Sequence, residues 1–229
     1  MTARQARTGA DTHSPTEAET SASDREEIAT LADIRRLAGG CRRCDLYEHA
    51  TQVVTGEGSE HARLVLVGEQ PGDQEDLQGR PFVGPAGRLL DRCLQEAELD
   101  RDECYVTNAV KHFKFERRGK RRIHERPNAG EVQACKWWLD RELKILKPRL
   151  VVALGATAVQ ALLGRAVGVM KQRGQVLPGP DGLQVLVTVH PSYLLRIPDS
   201  DAAERARSAF IEDLRKIHTV LGKQLSTRS

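Results

Sequence analysis

No stretch of this 229-residue chain approaches the ~20 consecutive apolar residues that cross a bilayer. No charged segment followed by an apolar run opens it either, so a secretory leader is not expected and the default location is cytoplasmic. Five cysteines are too few and too scattered for a disulfide framework; in a cytoplasmic chain they point to metal ligation or to incidental thiols. The net charge of +3 is too small to select a partner. Neither GxGxxG nor GxxxxGK[ST] occurs, which sets dinucleotide and NTP binding aside; Gly155-Ala156-Thr157-Ala158 reads instead as a tight strand-to-helix turn. No heptad pattern is present, and a monomer is the default. Residues 1–23 have almost no large apolar side chains and are expected to form a disordered tail.

What is present is an alternation. Apolar runs at residues 63–68, 104–108, 150–155 and 184–189 predict four buried strands. Helices are expected at 24–37, capped by Ser23 or Asp24, at 85–97, from a cap at Asn128 to 146, at 156–163 with a cap near Thr157, and at 201–221. Ile28, Leu31, Ile34 and Leu37 give the first its apolar face. Strands that are apolar throughout and alternate with helices imply a parallel sheet covered on both faces, hence a three-layer α/β/α sandwich around four parallel strands in one domain, residues 24–229. Ligands of such sheets bind beyond the carboxyl ends of the strands. Those ends are Gly68-Glu69-Gln70, Asn108, Gly155 and His190, and three of the four carry polar groups capable of chemistry.

In the run from Gly68 to Asp76, Gly and Pro fix a turn that lets backbone approach a ligand, and the carboxylates suit water activation or stabilisation of a cationic transition state. The run from Gly79 to Gly87 presents Phe82 on a constrained loop, although a Phe is more often core than stacking platform. From Lys111 to Arg126 there are eight Lys or Arg against two acids, Glu116 and Glu125, a plausible phosphate-facing surface with Phe113 and Phe115 as anchors. Within it, Lys120-Arg121-Arg122-Ile123-His124 reads as a basic loop. Cations around His124 should favour its neutral form, and a neutral imidazole is both base and nucleophile. Taken alone, such a loop is more often a solvated charge run. Cys41 and Cys44 form a CxxC which, with a distant cysteine, reads equally as zinc or iron–sulfur. Cys93, on an apolar helical face, and Cys104, at a strand start, read as packed thiols.

Four motifs in order, GEQPGDQEDLQGRPFVGPAG, TNAVKHFKF, KRRIH and HPSYLLR, make residues 37–221 resemble the uracil-DNA glycosylase superfamily. The resemblance is to its iron–sulfur branch and, through KRRIH, to the UdgX type, whose members bond covalently to the DNA they have processed. It implies a flipped uracil with Phe82 stacked on it, Asn108 reading its Watson–Crick edge, and backbone around Gln70, Gly72 and Asp73 adding hydrogen bonds. His190 would stabilise the departing uracil, Glu69 would stabilise the sugar cation or orient His124, and His124 would bond to C1′. Lys111, Lys120, Arg121, Arg122 and Ser192 would contact DNA, with single strands favoured because no unpairing is needed. Cys41, Cys44, His112 and Cys135 would hold a [4Fe–4S] cluster of structural role, His112 standing where the iron–sulfur relatives carry a third cysteine. Glu69 stands where the best-known branch has an aspartate. The other readings are a multiple-turnover glycosylase, a non-catalytic binder of uracil or abasic sites, and a Rossmann-like domain with a structural zinc.

Overall fold

The computed structural model describes residues 28–226, with side chains through residue 222. The expected tail and the Ser23 or Asp24 cap lie outside the described residues. The first helix among the described residues, α1 (Leu31–Ala38), starts later than apolar spacing suggested. Thr30 Oγ1 accepts from Asp33 N at 3.1 Å and Asp33 Oδ2 accepts from Thr30 N at 3.0 Å. That reciprocal cap places Ile28 before the helix, where it still packs on the core.

The elements then follow as β1 (Glu57–Gly58), β2 (Leu64–Gly68), α2 (Asp73–Gln78), α3 (Pro85–Glu96), β3 (Cys104–Asn108), β4 (Phe115–Arg118), β5 (Arg121–His124), α4 (Ala129–Leu146), β6 (Leu150–Leu154), α5 (Ala156–Leu163), α6 (Val169–Gln172), β7 (Gln175–Pro178), β8 (Gln184–Thr188), α7 (Pro191–Leu194) and α8 (Ser200–Ser226). The four expected strands form a parallel core in the order β3-β2-β6-β8. Two short antiparallel strands extend it to six, β1 against β3 and β7 against β8. Neither carries an apolar run: β1 has two residues, and β7 is half-exposed and ends at Pro178.

Alternation along each strand separates two cores. Val65, Val67, Val151, Ala153, Val185 and Val187 face α1, α4 and α5. Leu64, Leu66, Leu150, Val152, Leu154 and Leu186 face α3, α7 and α8. The result is the three-layer sandwich that the pattern implied. Gly68 is in register with Asn108, and Leu154 with Thr188, so the strand ends lie level along one rim.

Two segments expected to be loops are ordered. The basic stretch is an antiparallel hairpin, β4 on β5, with Phe115 opposite His124. Its turn uses Gly119 at φ +60°, a conformation natural to glycine. The acidic run after Gly72 is a six-residue helix, α2, ended by Gly79 in the left-handed region. At α4, Asn128 caps as expected. At α5 the N-cap is Gly155 with no side-chain bond, and Thr157 is no cap.

Candidate active site

Beyond the β2 and β3 ends, three residues meet. A side chain at Gly68 would collide with Asn108 Oδ1 and the Phe82 ring, so glycine lets these two side chains close over the strand end. Asn108 is buried, and the chain after it is stitched to the first loop by Ala109 N donating to Gly68 O (2.9 Å) and Val110 N to Glu69 O (3.0 Å). Phe82 is held at φ +58°, a costly conformation for an aromatic residue of the kind that clusters at functional sites. Gly87 permits it, because any Cβ there would strike the Phe82 carbonyl. The Phe82 ring stacks towards His190, centroids 6.1 Å apart.

His190 caps α7. Its Nδ1 accepts from Ser192 N at 3.1 Å and lies 2.8 Å from Ser192 Oγ. A backbone N–H can only donate, so the ring proton belongs on Nε2. Burial pushes His190 down to about 4, with the charges of Arg196 and His124 adding to it. It is thus a neutral imidazole presenting one N–H. Ser192, expected to contact DNA, has both polar groups turned to His190.

Glu69 joins the two halves of the site. Thr157 Oγ1 donates to its Oε2 at 2.5 Å; His124 Nε2 lies 3.4 Å from Oε1, and Arg126 Nε 3.9 Å from Oε2. His124 is half-exposed above Phe113, ring centroids 6.1 Å apart. The charge touching His124 is thus a carboxylate, where the sequence suggested cations.

The hairpin is fastened from below. Gln70 Nε2 donates to Lys114 O and Glu125 O, and Gln70 Oε1 accepts from Lys114 N, so this side chain clamps the hairpin's base. Arg122, expected on DNA, turns inward instead. It donates to Asp73 Oδ1 (2.6 Å), Asp76 Oδ2 (2.5 Å) and Thr51 Oγ1 (3.1 Å), and lies over the rings of Phe113 and Phe115. Asp73 is thereby tied to the hairpin, and Gly72 serves as the α2 N-cap. Lys111 is a second correction: it is fully buried, its Nζ bonded to Glu142, Thr107 and the Asn108 carbonyl, and it cannot reach DNA. Lys120 and Arg121 are exposed at the hairpin tip.

Cys41, His112 and Cys135 are buried and Cys44 is partly so. Trp138 Nε1 donates to Cys41 Sγ at 3.2 Å and Lys111 N to Cys135 Sγ at 3.1 Å, an environment suited to sulfur that carries negative charge. Burial pushes the Cys135 thiol up to about 12, with Cys44 and Cys41 adding to the rise, and pushes His112 down to about 4. A neutral imidazole with cysteine sulfurs, thiolate once a metal binds, is a donor set that fits iron or zinc. Among the described residues no three His, Cys, Asp or Glu side chains are grouped as a single ion requires. Burial pushes Cys93 up to about 11 and Cys104 to about 12, as for packed thiols.

Sequence reasoning missed Thr157, Arg126 and the clamp of Gln70. A threonine in the first helical turn after a strand-end glycine was the available signal for Thr157.

Residues 55–215 match the pattern of the Uracil DNA glycosylase superfamily. The chain is 37% identical over 201 residues to a type-4 uracil-DNA glycosylase of Thermotoga maritima, covering 87% of this chain and 98% of that protein. It is 33% identical over 207 residues to the type-4 enzyme of Archaeoglobus fulgidus, again covering 87% and 98%. With the type-4 enzyme of Pyrobaculum aerophilum the identity is 37% over 175 residues, 73% of this chain and 86% of that one.

Proposed function

The chain belongs to the uracil-DNA glycosylase superfamily, and from that membership we propose that it excises uracil from DNA and then bonds to the abasic sugar through His124. One juxtaposition carries this reading: an imidazole on a latched hairpin faces the Glu69 carboxylate at 3.4 Å, at the end of the parallel sheet that also carries His190.

The flipped base would stack on Phe82, with the Asn108 amide offering a donor and an acceptor to O4 and N3–H of uracil. As the C1′–N1 bond breaks, its electron pair stays with uracil, and His190 Nε2–H donates to the carbonyl oxygen where negative charge gathers. A neutral donor suits this, because it remains in the same state throughout. Glu69 stabilises the cationic sugar. An imidazole nitrogen of His124 then contributes its lone pair to C1′, and the imidazolium so formed releases its remaining N–H proton to Glu69 or solvent. The product is a neutral alkylated ring, and turnover ends there. Exposed Lys120 and Arg121 would meet phosphates, and an unpaired strand is the favoured substrate. The chain acts as a cytoplasmic monomer; among the described residues no helix is long and apolar enough to cross a membrane.

Cys41, Cys44, His112 and Cys135 would hold a [4Fe–4S] cluster. When bound, it would supply a rigid link between the segment after α1, the segment after β3 and α4. Purified protein should carry iron and acid-labile sulfide, and Cys135→Ala should lose both; a colourless protein with one zinc would end the cluster reading.

The decisive test of the main reading is a denaturing gel. A labelled single-stranded uracil oligonucleotide, mixed with the protein and heated in SDS, should shift by the protein's mass, while a thymine oligonucleotide should not. His124→Ser should abolish the shift. Strand breakage after alkali without a shift would establish the multiple-turnover glycosylase instead, and reversible retention with no released base would establish the binder.

A further inference from the structure

The Gly155-Ala156-Thr157 turn touches both halves of the site. Gly155, at φ +90°, lies against the α7 loop: a Cβ there would come within 3.2 Å of His190 Cβ. Thr157, in the first turn of α5, is buried, and its hydroxyl donates to Glu69 Oε2 at 2.5 Å. The other oxygen, Oε1, is the one that faces His124 Nε2. The terminal torsion of a glutamate is broad and two-fold, so nothing intrinsic fixes the plane of the carboxylate. A donor held on one oxygen does. Among the described residues the remaining ion pair on Oε2 is that of Arg126, longer at 3.9 Å and made by an exposed side chain.

We propose that Thr157 is a positioning residue of this site: its hydroxyl sets the plane of the Glu69 carboxylate so that Oε1 is presented to His124. The inference rests on the reading of Glu69 and His124 as reacting groups. It also gives the Gly-Ala-Thr turn a task beyond connection. Gly155 lets the turn pack against the His190 loop while Thr157 reaches Glu69, so one rigid turn registers the group that meets the departing base with the group that meets the sugar.

Thr157→Val keeps the shape and removes the hydroxyl, whereas Thr157→Ser keeps the hydroxyl. Uracil release in a single turnover and SDS-stable adduct formation are followed on a uracil-containing single strand. Thermal melting and affinity for a thymine strand serve as folding controls. The valine variant should form adduct at least about 10-fold more slowly, the loss of one charge-assisted hydrogen bond, and the serine variant should stay within about 3-fold of wild type. In a Glu69→Ala background the valine substitution should change nothing further, which a packing role would not predict. If the valine variant does not fold, Thr157→Ala against Thr157→Ser carries the same contrast. Valine within twofold of wild type, serine as impaired as valine, or undiminished loss in the Glu69→Ala background would each overturn the proposal. A wild-type protein that releases uracil without adduct would overturn the histidine reading instead, and the same contrast in release rate would then decide Thr157.

Discussion

Lys111 and Glu142 form an ion pair at 2.6 Å with both side chains 0% exposed. Such a pair survives burial only if its remaining bonding capacity is met. Here it is: Glu142 also accepts from Gly56 N (2.9 Å), Tyr105 Oη (3.2 Å) and Thr107 Oγ1 (2.9 Å), and Lys111 Nζ also donates to the Asn108 carbonyl (2.8 Å). The phenol is the weaker acid for it, since burial and the adjacent carboxylate both hold Tyr105 well above its usual range. Lys111→Met leaves Glu142 buried and uncompensated and should cost about 3–5 kcal/mol in urea unfolding. Adding Glu142→Leu should recover most of that loss, since removing both charges leaves only neutral donors to re-pair. A double variant no more stable than the single one would show that the pair acts independently of its charge. Because Lys111 holds the Asn108 carbonyl, its place in the sequence beside the basic stretch misled: one cation of that stretch supports the β3 end from inside.

At the scale of elements, the β4–β5 hairpin stands apart from the main sheet and depends on what it is latched to. A two-stranded hairpin is marginal alone, and this one is held by Gln70 at its base and by Arg122 on Asp73 and Asp76 of α2. Arg122→Ala should therefore loosen residues 115–124, seen as faster amide exchange there. Adduct formation should fall about 10-fold or more while affinity for a thymine single strand changes less than about threefold. Arg121→Ala should do the reverse: it should weaken binding to any sequence and lower the salt slope by about one. If Arg122→Ala shifted the salt slope instead, Arg122 would be a phosphate contact after all. The four parallel strands were legible because unbroken apolar runs have one stable place, a sheet covered on both faces. The hairpin was not, since its residues are charged and its order comes from aspartates about fifty positions earlier in the chain. Nor was α2, whose one large apolar residue, Leu77, is 58% exposed and so gives no periodic face.

For the whole molecule, the site is a meeting of loops from different strand ends, and sequence could name the ends without saying which side chains face one another. Glu69, Asn108 and His190 could be set at strand ends from the apolar runs before them, and His124 on the basic stretch. That Thr157 joins Arg126 and His124 around Glu69 required the β6–α5 turn to lie beside the β2 loop, a fact of strand order. The same packing makes folding sensitive to pH. His190 titrates near 4 in the folded chain against about 6.5 when unfolded, because burial disfavours its charged form. Between those values the unfolded chain binds the extra proton, so stability is fully present above about pH 6.5 and is lost as pH falls towards 4. A shift of that size corresponds to on the order of 3 kcal/mol at the lower end. Urea midpoints measured from pH 7.5 to 5 should fall steadily for wild type, and His190→Gln should flatten that fall while losing uracil release. An unchanged slope in His190→Gln would mean that the folded chain binds the His190 proton as readily as the unfolded one, and the account of a donor held neutral by burial would have to be abandoned.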